Sequence, residues 1–191
     1  MGNNCKEINI KFIAIAGPTA SGKSIFADKL TKIFGEDKCF VIHQDDYYKD
    51  WSHLTKAERK KINFDNIKAF DLLLLEKHII ALKKGMNIQK PCYSFVGSKR
   101  LSKRRNLASR PIIIVEGLMP FFTSKLRRLF DKKIYINVNS GVCLARRIKR
   151  DMRERGDTLE SVCLRYFNDV LPMQKKYVEP QKRWADVVIN G

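Results

Sequence analysis

The sequence predicts an α/β fold in which one parallel sheet is covered by helices on both faces. Three observations lead to this prediction. The chain has 191 residues and is 44% hydrophobic, which suits a single domain with a buried core. Short apolar runs alternate with longer segments of helical periodicity. No internal repeat or low-complexity linker divides the sequence, so we expect one domain over residues 1–191.

The predicted strands are short and apolar, as is typical of strands that are buried on both faces. The clearest is "IIIVE", which is rich in β-branched residues and is bounded by Pro111 and Gly117. The predicted strands span residues 8–16, 39–43, 112–116, 133–138 and 186–189.

Helices are predicted between these strands from the spacing of apolar residues. The first spans 23–34, and Gly35 suits its C-cap. The others are expected at 67–85, 119–130, 140–155 and 158–177. Residues 86–110 fit this rhythm less well and predict a small hairpin insertion near the acceptor site.

A phosphate-binding motif lies between the first strand and the first helix. "GPTASGKS" at residues 17–24 matches G-x-x-x-x-G-K-[ST]. Its glycines let successive N–H groups converge on phosphate oxygens, Lys23 reaches the β- and γ-phosphates, and the Ser24 hydroxyl suits Mg²⁺. We therefore expect a three-layer sheet of the P-loop NTPase type that binds ATP or GTP with Mg²⁺. The expected nucleotide-binding residues are Gly17, Thr19, Ala20, Ser21, Gly22, Lys23 and Ser24.

Acidic side chains follow two of the predicted strands. Glu116 ends "IIIVE", and Asp45 and Asp46 follow the strand at 39–43. Ligands of such sheets bind at the carboxyl ends of the strands, so Asp45 could accept a proton from a substrate hydroxyl or contact the metal through water. Ser24, Asp45 and Glu116 are the expected metal-site residues. The alternative is that Asp45 or Asp46 caps a helix.

A basic helix supplies the third element of the expected site. In "ARRIKRDMRERG", Arg147 and Arg150 share a helical face and Arg155 lies near the helix end. Arginines over a triphosphate stabilise charge that develops in the transition state. We therefore expect a basic lid over about 145–158, with Lys23, Arg150 and Arg155 as catalytic charges. The alternative is a solvated face on which Asp151 and Glu154 pair with the arginines.

The overall charge leaves a second class of function open. The chain has 38 Lys and Arg against 20 Asp and Glu, a net charge of +18, and such a charge attracts polyanions. A nucleic-acid-binding P-loop ATPase is therefore one alternative to a small-molecule kinase, and a nucleotide-binding regulator with little activity is another. The five scattered cysteines form no disulfide or zinc pattern. With neither a secretory signal nor a membrane-length apolar run, the protein is expected to be cytoplasmic.

From about residue 11 to 191 the sequence resembles the uridine kinase (uridine–cytidine kinase) family. The matching segments are "GPTASGKS", "HQDDYYKD", "NFDNIKAFD", "PCYSF", "IIIVEGLM", "RRIKRDMRERG" and "VLPMQKKYVEPQKRWADVVING". The resemblance implies transfer of the γ-phosphoryl group of ATP to a nucleoside 5′-hydroxyl with Mg²⁺. It also implies a homo-oligomer, commonly a tetramer.

The resemblance also implies roles for individual residues. Asp45 matches the catalytic base, and Ser24 and Glu116 match the residues that organise Mg²⁺. Asp65, in "NFDN", matches the carboxylate that binds the ribose 2′- and 3′-hydroxyls, which favours a ribonucleoside. The remaining expected substrate contacts are Arg147, Tyr48 and Tyr93, and Arg150 and Arg155 belong to the lid. For the two tyrosines, ordinary core packing is the alternative.

The sequence departs from the family pattern on the acceptor side. Ser98 occupies the position of a histidine that reads the pyrimidine edge, Ser94 that of an aspartate, Asp157 that of an arginine and Arg165 that of a substrate-contacting glutamine. Ser98 and Arg165 are therefore included among the expected substrate-binding residues. These changes leave another acceptor open: "QDDYYK" is compatible with nicotinamide riboside, whereas Arg165, Arg100 and the overall basicity suit a sugar phosphate.

Overall fold

The computed structural model describes residues 10–95 and 97–191, and its main body is a five-stranded parallel sheet. The strand order is β2-β5-β1-β6-β7, and β3 and β4 form a separate antiparallel hairpin. The strands are β1 Lys11–Ala16, β2 Cys39–His43, β3 Ile88–Ser94, β4 Lys99–Leu107, β5 Ile112–Gly117, β6 Lys132–Asn137 and β7 Val187–Asn190. The α/β prediction is confirmed. Positions 8 and 9 of the first predicted strand lie outside the described residues.

Helices cover both faces of the sheet because alternate residues of each strand point to opposite sides. Phe12 and Ala14 of β1 belong to one buried cluster together with Leu75. Ile15 of β1 belongs to the other, together with Ala27. The helices are α1 Lys23–Phe34, α2 Lys56–Lys60, α3 Leu72–Lys83, α4 Ser124–Arg127, α5 Ser140–Arg155, α6 Leu159–Arg165 and α7 Leu171–Met173. Within the described ranges, no helix is both long and apolar enough to span a membrane.

Three predicted helices are shorter or less regular than expected. The helix predicted at 67–85 begins at Leu72, because the Asp71 side chain caps it by accepting from the Leu74 amide at 3.1 Å. The helix predicted at 119–130 is reduced to α4, since the Phe121 amide donates instead to the Gln181 side chain at 3.2 Å.

The segment predicted as one helix over 158–177 changes type along its length. After α6 it forms π-helical turns at Tyr166–Val170 and Gln174–Val178 on either side of α7, and a 3₁₀ helix follows at Glu179–Trp184. Pro172 lies in α7 and lacks an amide hydrogen, so the regular ladder of hydrogen bonds cannot continue through it.

The topology gathers the predicted site residues at one edge of the sheet. Strands β1, β2 and β5 are adjacent and parallel, and His43 and Ile15 are both in register with Glu116. The phosphate motif after β1, the Asp45–Asp46 pair after β2 and the end of β5 therefore meet at the carboxyl edge. The β3–β4 hairpin packs beside this edge against a short 3₁₀ helix, Gln44–Tyr47.

Candidate active site

The loop between β1 and α1 has the backbone shape of a phosphate cradle. Gly17 passes so close to the Ile136 carbonyl that a Cβ would lie 2.6 Å from its oxygen, and Gly22 has φ +91°, which only glycine adopts easily. Ala20 is also left-handed, with φ 55°. The Lys23 Nζ donates to the Pro18 carbonyl at 2.7 Å. Burial lowers the pKa of Lys23, and the nearby Glu116 and Asp45 carboxylates partly offset this effect.

Ser24 and Glu116 meet beside this cradle. The Ser24 hydroxyl donates to Glu116 Oε1 at 3.1 Å, and His43 Nδ1 lies 2.7 Å from the same oxygen. Burial raises the pKa of Glu116, but the His43 hydrogen bond and the Lys23 charge outweigh burial and lower it overall. Glu116 is therefore ionised at neutral pH. The sequence analysis missed His43, because nothing local indicates that β2 pairs with β5 in this register.

The oxygen donors at this position suit Mg²⁺. Magnesium prefers carboxylate, hydroxyl and phosphate oxygens and is usually held by one or two carboxylates together with substrate phosphates. Ser24 and Glu116 supply such oxygens next to the cradle. Over residues 10–95 and 97–191, no three His, Cys, Asp or Glu side chains are grouped as a complete metal site. A magnesium ion here would thus depend on the nucleotide for its remaining ligands.

Asp45 and Asp46 do not cap a helix, so that alternative is wrong. The 3₁₀ helix that contains them begins after His43 without any side-chain capping bond. Asp45 faces the cleft instead, and burial together with the Glu116 charge raises its pKa to about 6, against the opposing effect of Lys23. Asp46 forms an ion pair with Lys90 of the hairpin. The two neighbouring carboxylates therefore have different partners.

Asp65 and Arg147 are two further charged residues that line the cleft. Arg147 donates from Nη1 to the Thr19 hydroxyl of the cradle at 3.2 Å, and the same atom lies 4.0 Å from Asp65 Oδ1. Burial raises the pKa of Asp65, while the Arg147 charge lowers it in part. Arg147 thus connects the phosphate loop to the carboxylate that the sequence analysis assigned to the acceptor.

An aromatic cluster forms one wall of the cleft. The Tyr48 ring stacks on Phe70 at 4.3 Å and contacts Tyr93 at 5.1 Å and Phe64 at 5.5 Å. Tyr48 and Tyr93 pack against other rings and also line the cleft, so their packing is confirmed and their contact with a substrate stays a prediction. Phe64 and Phe95 also line the cleft and were missed, because a lone phenylalanine in a sequence predicts only burial.

One buried carboxylate contacts three of the five arginines of α5. The Asp151 side chain is 1% exposed, and its oxygens lie 3.3 Å from Arg147 Nε, 2.8 Å from Arg150 Nε and 3.6 Å from Arg155 Nε. The expected pairing with Asp151 is therefore correct, whereas Glu154 pairs with Arg153 instead. The solvated-face interpretation is wrong for Arg147, whose side chain is 9% exposed, whereas Arg150 and Arg155 are each 33% exposed and line the cleft.

Two of the residues that depart from the family pattern contact each other. Arg165 Nη2 lies 2.6 Å from Asp157 Oδ2 and also donates to the Ser161 hydroxyl at 3.3 Å. Ser98 lies in the hairpin turn with φ 49° and lines the cleft.

The predicted residues converge on one open cleft of about 1810 Å³. It is lined by Thr19, Ala20, Gly22, Lys23, Ser24, Asp45, Tyr48, Asp65, Tyr93, Ser98, Glu116, Arg147, Arg150, Arg155 and Arg165. Gly17 and Ser21 lie in the same loop but do not line the cleft. The cradle, the carboxylates and the arginines therefore form one continuous site.

Comparisons with known proteins agree with this geometry. A sequence model of the Phosphoribulokinase / Uridine kinase family matches residues 12–191. The uridine kinase of Clostridium perfringens is 43% identical over 178 residues, which cover 93% of this chain and 86% of that protein. The uridine kinase of Brevibacillus brevis is 41% identical over 181 residues, covering 95% and 85%. The structure of phosphoribulokinase from Rhodobacter spheroides shares the fold, with a TM-score of 0.73 at 17% identity over 96% of this chain and 70% of that one.

Proposed function

Since this chain belongs to the phosphoribulokinase/uridine kinase family and is therefore a kinase that phosphorylates a hydroxyl group, we propose that its acceptor is the 5′-hydroxyl of uridine or cytidine. ATP is the proposed donor, with Mg²⁺ as the metal. The similarity to uridine kinases extends over most of the chain and favours this activity over a nucleic-acid-dependent ATPase. A lid over 145–158 and a tetrameric assembly stay predictions, and light scattering in solution would test the second.

The position of Asp45 is the observation that carries the proposal. Its pKa responds to Glu116 and Lys23 on the phosphate side and to Asp65 on the acceptor side. Asp45 also lines the same cleft as Lys23 and Glu116, which would hold the donor, and Asp65, which would hold the acceptor. A general base must reach the hydroxyl whose proton it accepts, and this position supports that role.

On the acceptor side, Asp65 would fix the ribose and Asp45 would accept the proton. Two carboxylate oxygens can each accept one hydrogen bond from a vicinal diol, so Asp65 suits the 2′- and 3′-hydroxyls of ribose. Asp45 would then take the 5′-hydroxyl proton as that oxygen attacks the γ-phosphorus, while the bond from the γ-phosphorus to the β-phosphate oxygen breaks and ADP leaves. Tyr48 and Tyr93 offer flat apolar surfaces for a base.

On the donor side, positive groups would stabilise the transferred phosphoryl group. The Lys23 ammonium group donates a hydrogen bond to the Pro18 carbonyl in the cradle. It would donate to phosphate oxygens instead when the nucleotide binds. Arg150 and Arg155 outnumber the single Asp151 charge that holds them, so positive charge is left to face the phosphates. Ser24 and Glu116 would hold Mg²⁺ beside the cradle, and the ion would supply positive charge for the phosphate oxygens.

The arginines that suit a phosphorylated acceptor have internal partners. Arg165 is paired with Asp157. Arg100 donates to the Tyr48 carbonyl at 2.7 and 3.1 Å and lies 3.4 Å from Asp71. Binding a sugar phosphate through either guanidinium would require these contacts to be given up. This pairing supports an uncharged ribonucleoside over a sugar phosphate as the acceptor.

The direct test is product formation from uridine and from cytidine with ATP and Mg²⁺. We expect uridine 5′-monophosphate or cytidine 5′-monophosphate together with stoichiometric ADP, as separated by chromatography. ADP release without formation of uridine 5′-monophosphate or cytidine 5′-monophosphate would overturn the proposed acceptor. ADP release that requires RNA or DNA would support the ATPase alternative.

A further inference from the structure

The hairpin contributes a buried lysine next to the catalytic edge. Lys90, in β3, has a side chain that is only 7% exposed, and its Nζ contacts Asp46 Oδ2. A buried ammonium group is costly unless a charged partner compensates for it. Asp46 immediately follows Asp45 in the chain but is turned toward the hairpin. The proposed mechanism makes no use of either Lys90 or Asp46.

Asp46 also holds the hairpin through its backbone. Asp46 Oδ1 accepts a hydrogen bond from the Tyr93 amide at 3.4 Å. The β3–β4 register shifts between Pro91 and Tyr93, and at such a bulge a backbone amide leaves the regular ladder. One carboxylate therefore binds both a side chain and a main-chain amide of β3.

The contact between Asp46 and β3 holds the backbone of Tyr93, which we expect on the acceptor side. Tyr93 lines the cleft, and its ring contacts Tyr48, the residue two positions after Asp46. The position of the Tyr93 ring relative to Asp45 thus depends on how Asp46 holds β3. A shift of this strand would move the aromatic wall without moving the phosphate loop.

We propose that Asp46 and Lys90 are positioning residues, whose ion pair fixes the hairpin so that Tyr93 forms the acceptor wall. The inference rests on the proposed function and assigns different roles to Asp45 and Asp46. Asp45 acts on the transferred proton, and Asp46 sets the binding of the acceptor through β3. Asp45 and Asp46 are adjacent in the chain, so both roles depend on the same turn of the backbone.

The test compares Lys90→Met, Asp46→Asn and the double variant with wild-type protein. Lys103→Met is the matched control, because Lys103 is exposed on the same hairpin. We expect each single variant to raise KM for uridine about tenfold, since displacement of a positioned group by about 1 Å can cost up to about 100-fold. We expect kcat and KM for ATP to change less than about threefold. The double variant should be less impaired than either single variant, because it leaves no buried charge unpaired.

Hydrogen exchange of the 88–94 segment gives a readout that is independent of activity. We expect faster exchange in both single variants, recovery in the double variant and no change in Lys103→Met. An unchanged uridine KM together with unchanged exchange would overturn the inference, as would a double variant whose defects add. If a single variant does not fold, the double variant decides: near-normal exchange supports the pair, and an unprotected hairpin overturns it. If wild-type protein phosphorylates neither uridine nor cytidine, the proposed function fails, and the exchange data alone decide whether the pair holds the hairpin.

Discussion

The proposed donor side and the proposed acceptor side of the cleft are built in different ways. The donor side is mainly backbone: glycines and a helix start shape the cradle, and Lys23 and Ser24 belong to the same eight-residue motif. The acceptor side is assembled from side-chain pairs such as Asp157–Arg165 and Lys90–Asp46. A backbone cradle tolerates little change, whereas paired side chains can be replaced together. The comparison implies that acceptor choice can vary while phosphoryl transfer is retained.

The largest expected effect comes from Asp45, the proposed general base. We expect Asp45→Asn to lower kcat about 1000-fold, within the range of about 10²–10⁴ for loss of a general base. Binding of ATP should remain, because asparagine preserves the shape of the side chain next to Lys23. Initial rates and nucleotide titration measure both quantities, with the exposed Asp28→Asn in α1 as control. Undiminished turnover would remove Asp45 from the mechanism.

The next effect tests whether the arginines act as a unit. We expect Asp151→Asn to lower kcat/KM for ATP roughly 100-fold, because the carboxylate that Arg147, Arg150 and Arg155 share would be lost. Leaving their charges uncompensated should also lower the free energy of unfolding by about 3 kcal/mol. Urea denaturation and initial rates measure the two changes. Arg153→Gln is the control, since Arg153 is 74% exposed. If Asp151→Asn changed kcat/KM for ATP and the free energy of unfolding as little as this control does, the account would be contradicted.

The pH dependence provides a smaller but sharper test of the same carboxylate. Asp45 must be ionised to accept a proton, and its pKa is raised to about 6. We therefore expect kcat/KM for uridine to be constant above pH 7 and to fall as the pH drops through 6. At pH 5 it should be about tenfold lower than on the plateau. A profile that stays flat to pH 4.5 would show that no group with this pKa acts as the base.

The smallest expected effect lies at the rim of the acceptor side. Arg165 is 41% exposed and Asp157 24% exposed, and ion pairs of this kind contribute less than about 1 kcal/mol to stability. We expect Arg165→Gln to change KM for uridine by less than about fivefold. A rise in KM for uridine of more than about tenfold would mean that Arg165 contacts the acceptor directly.

The sequence alone predicts most of the donor side, because that side is local in the chain. The bounds of α1 and β2 match the predictions, and Asp45 and Glu116 follow from the rule that ligands bind at the ends of parallel strands. The start of α3 was wrong because Asp71 competes as a cap with a longer apolar pattern.

The acceptor side could not be predicted in the same way. Lys90 is 44 positions from Asp46 in the chain, and the same kind of separation hid His43 on the donor side, 73 positions from Glu116. Pairs at such separations depend on strand order and register, which periodicity does not encode. The sequence identified Ser98, Asp157 and Arg165 as unusual, but only the fold shows that Asp157 and Arg165 form a pair.

The most direct test of the central claim is a comparison of kcat/KM for uridine, 2′-deoxyuridine and ribulose 5-phosphate with ATP and Mg²⁺. We expect uridine to exceed 2′-deoxyuridine at least about tenfold, because Asp65 would lose a hydrogen-bond donor. We expect uridine to exceed ribulose 5-phosphate about tenfold or more, since Arg165 and Arg100, the two arginines considered for a second phosphate, would have to give up their present partners. Equal or greater efficiency with ribulose 5-phosphate would contradict the account of the acceptor side.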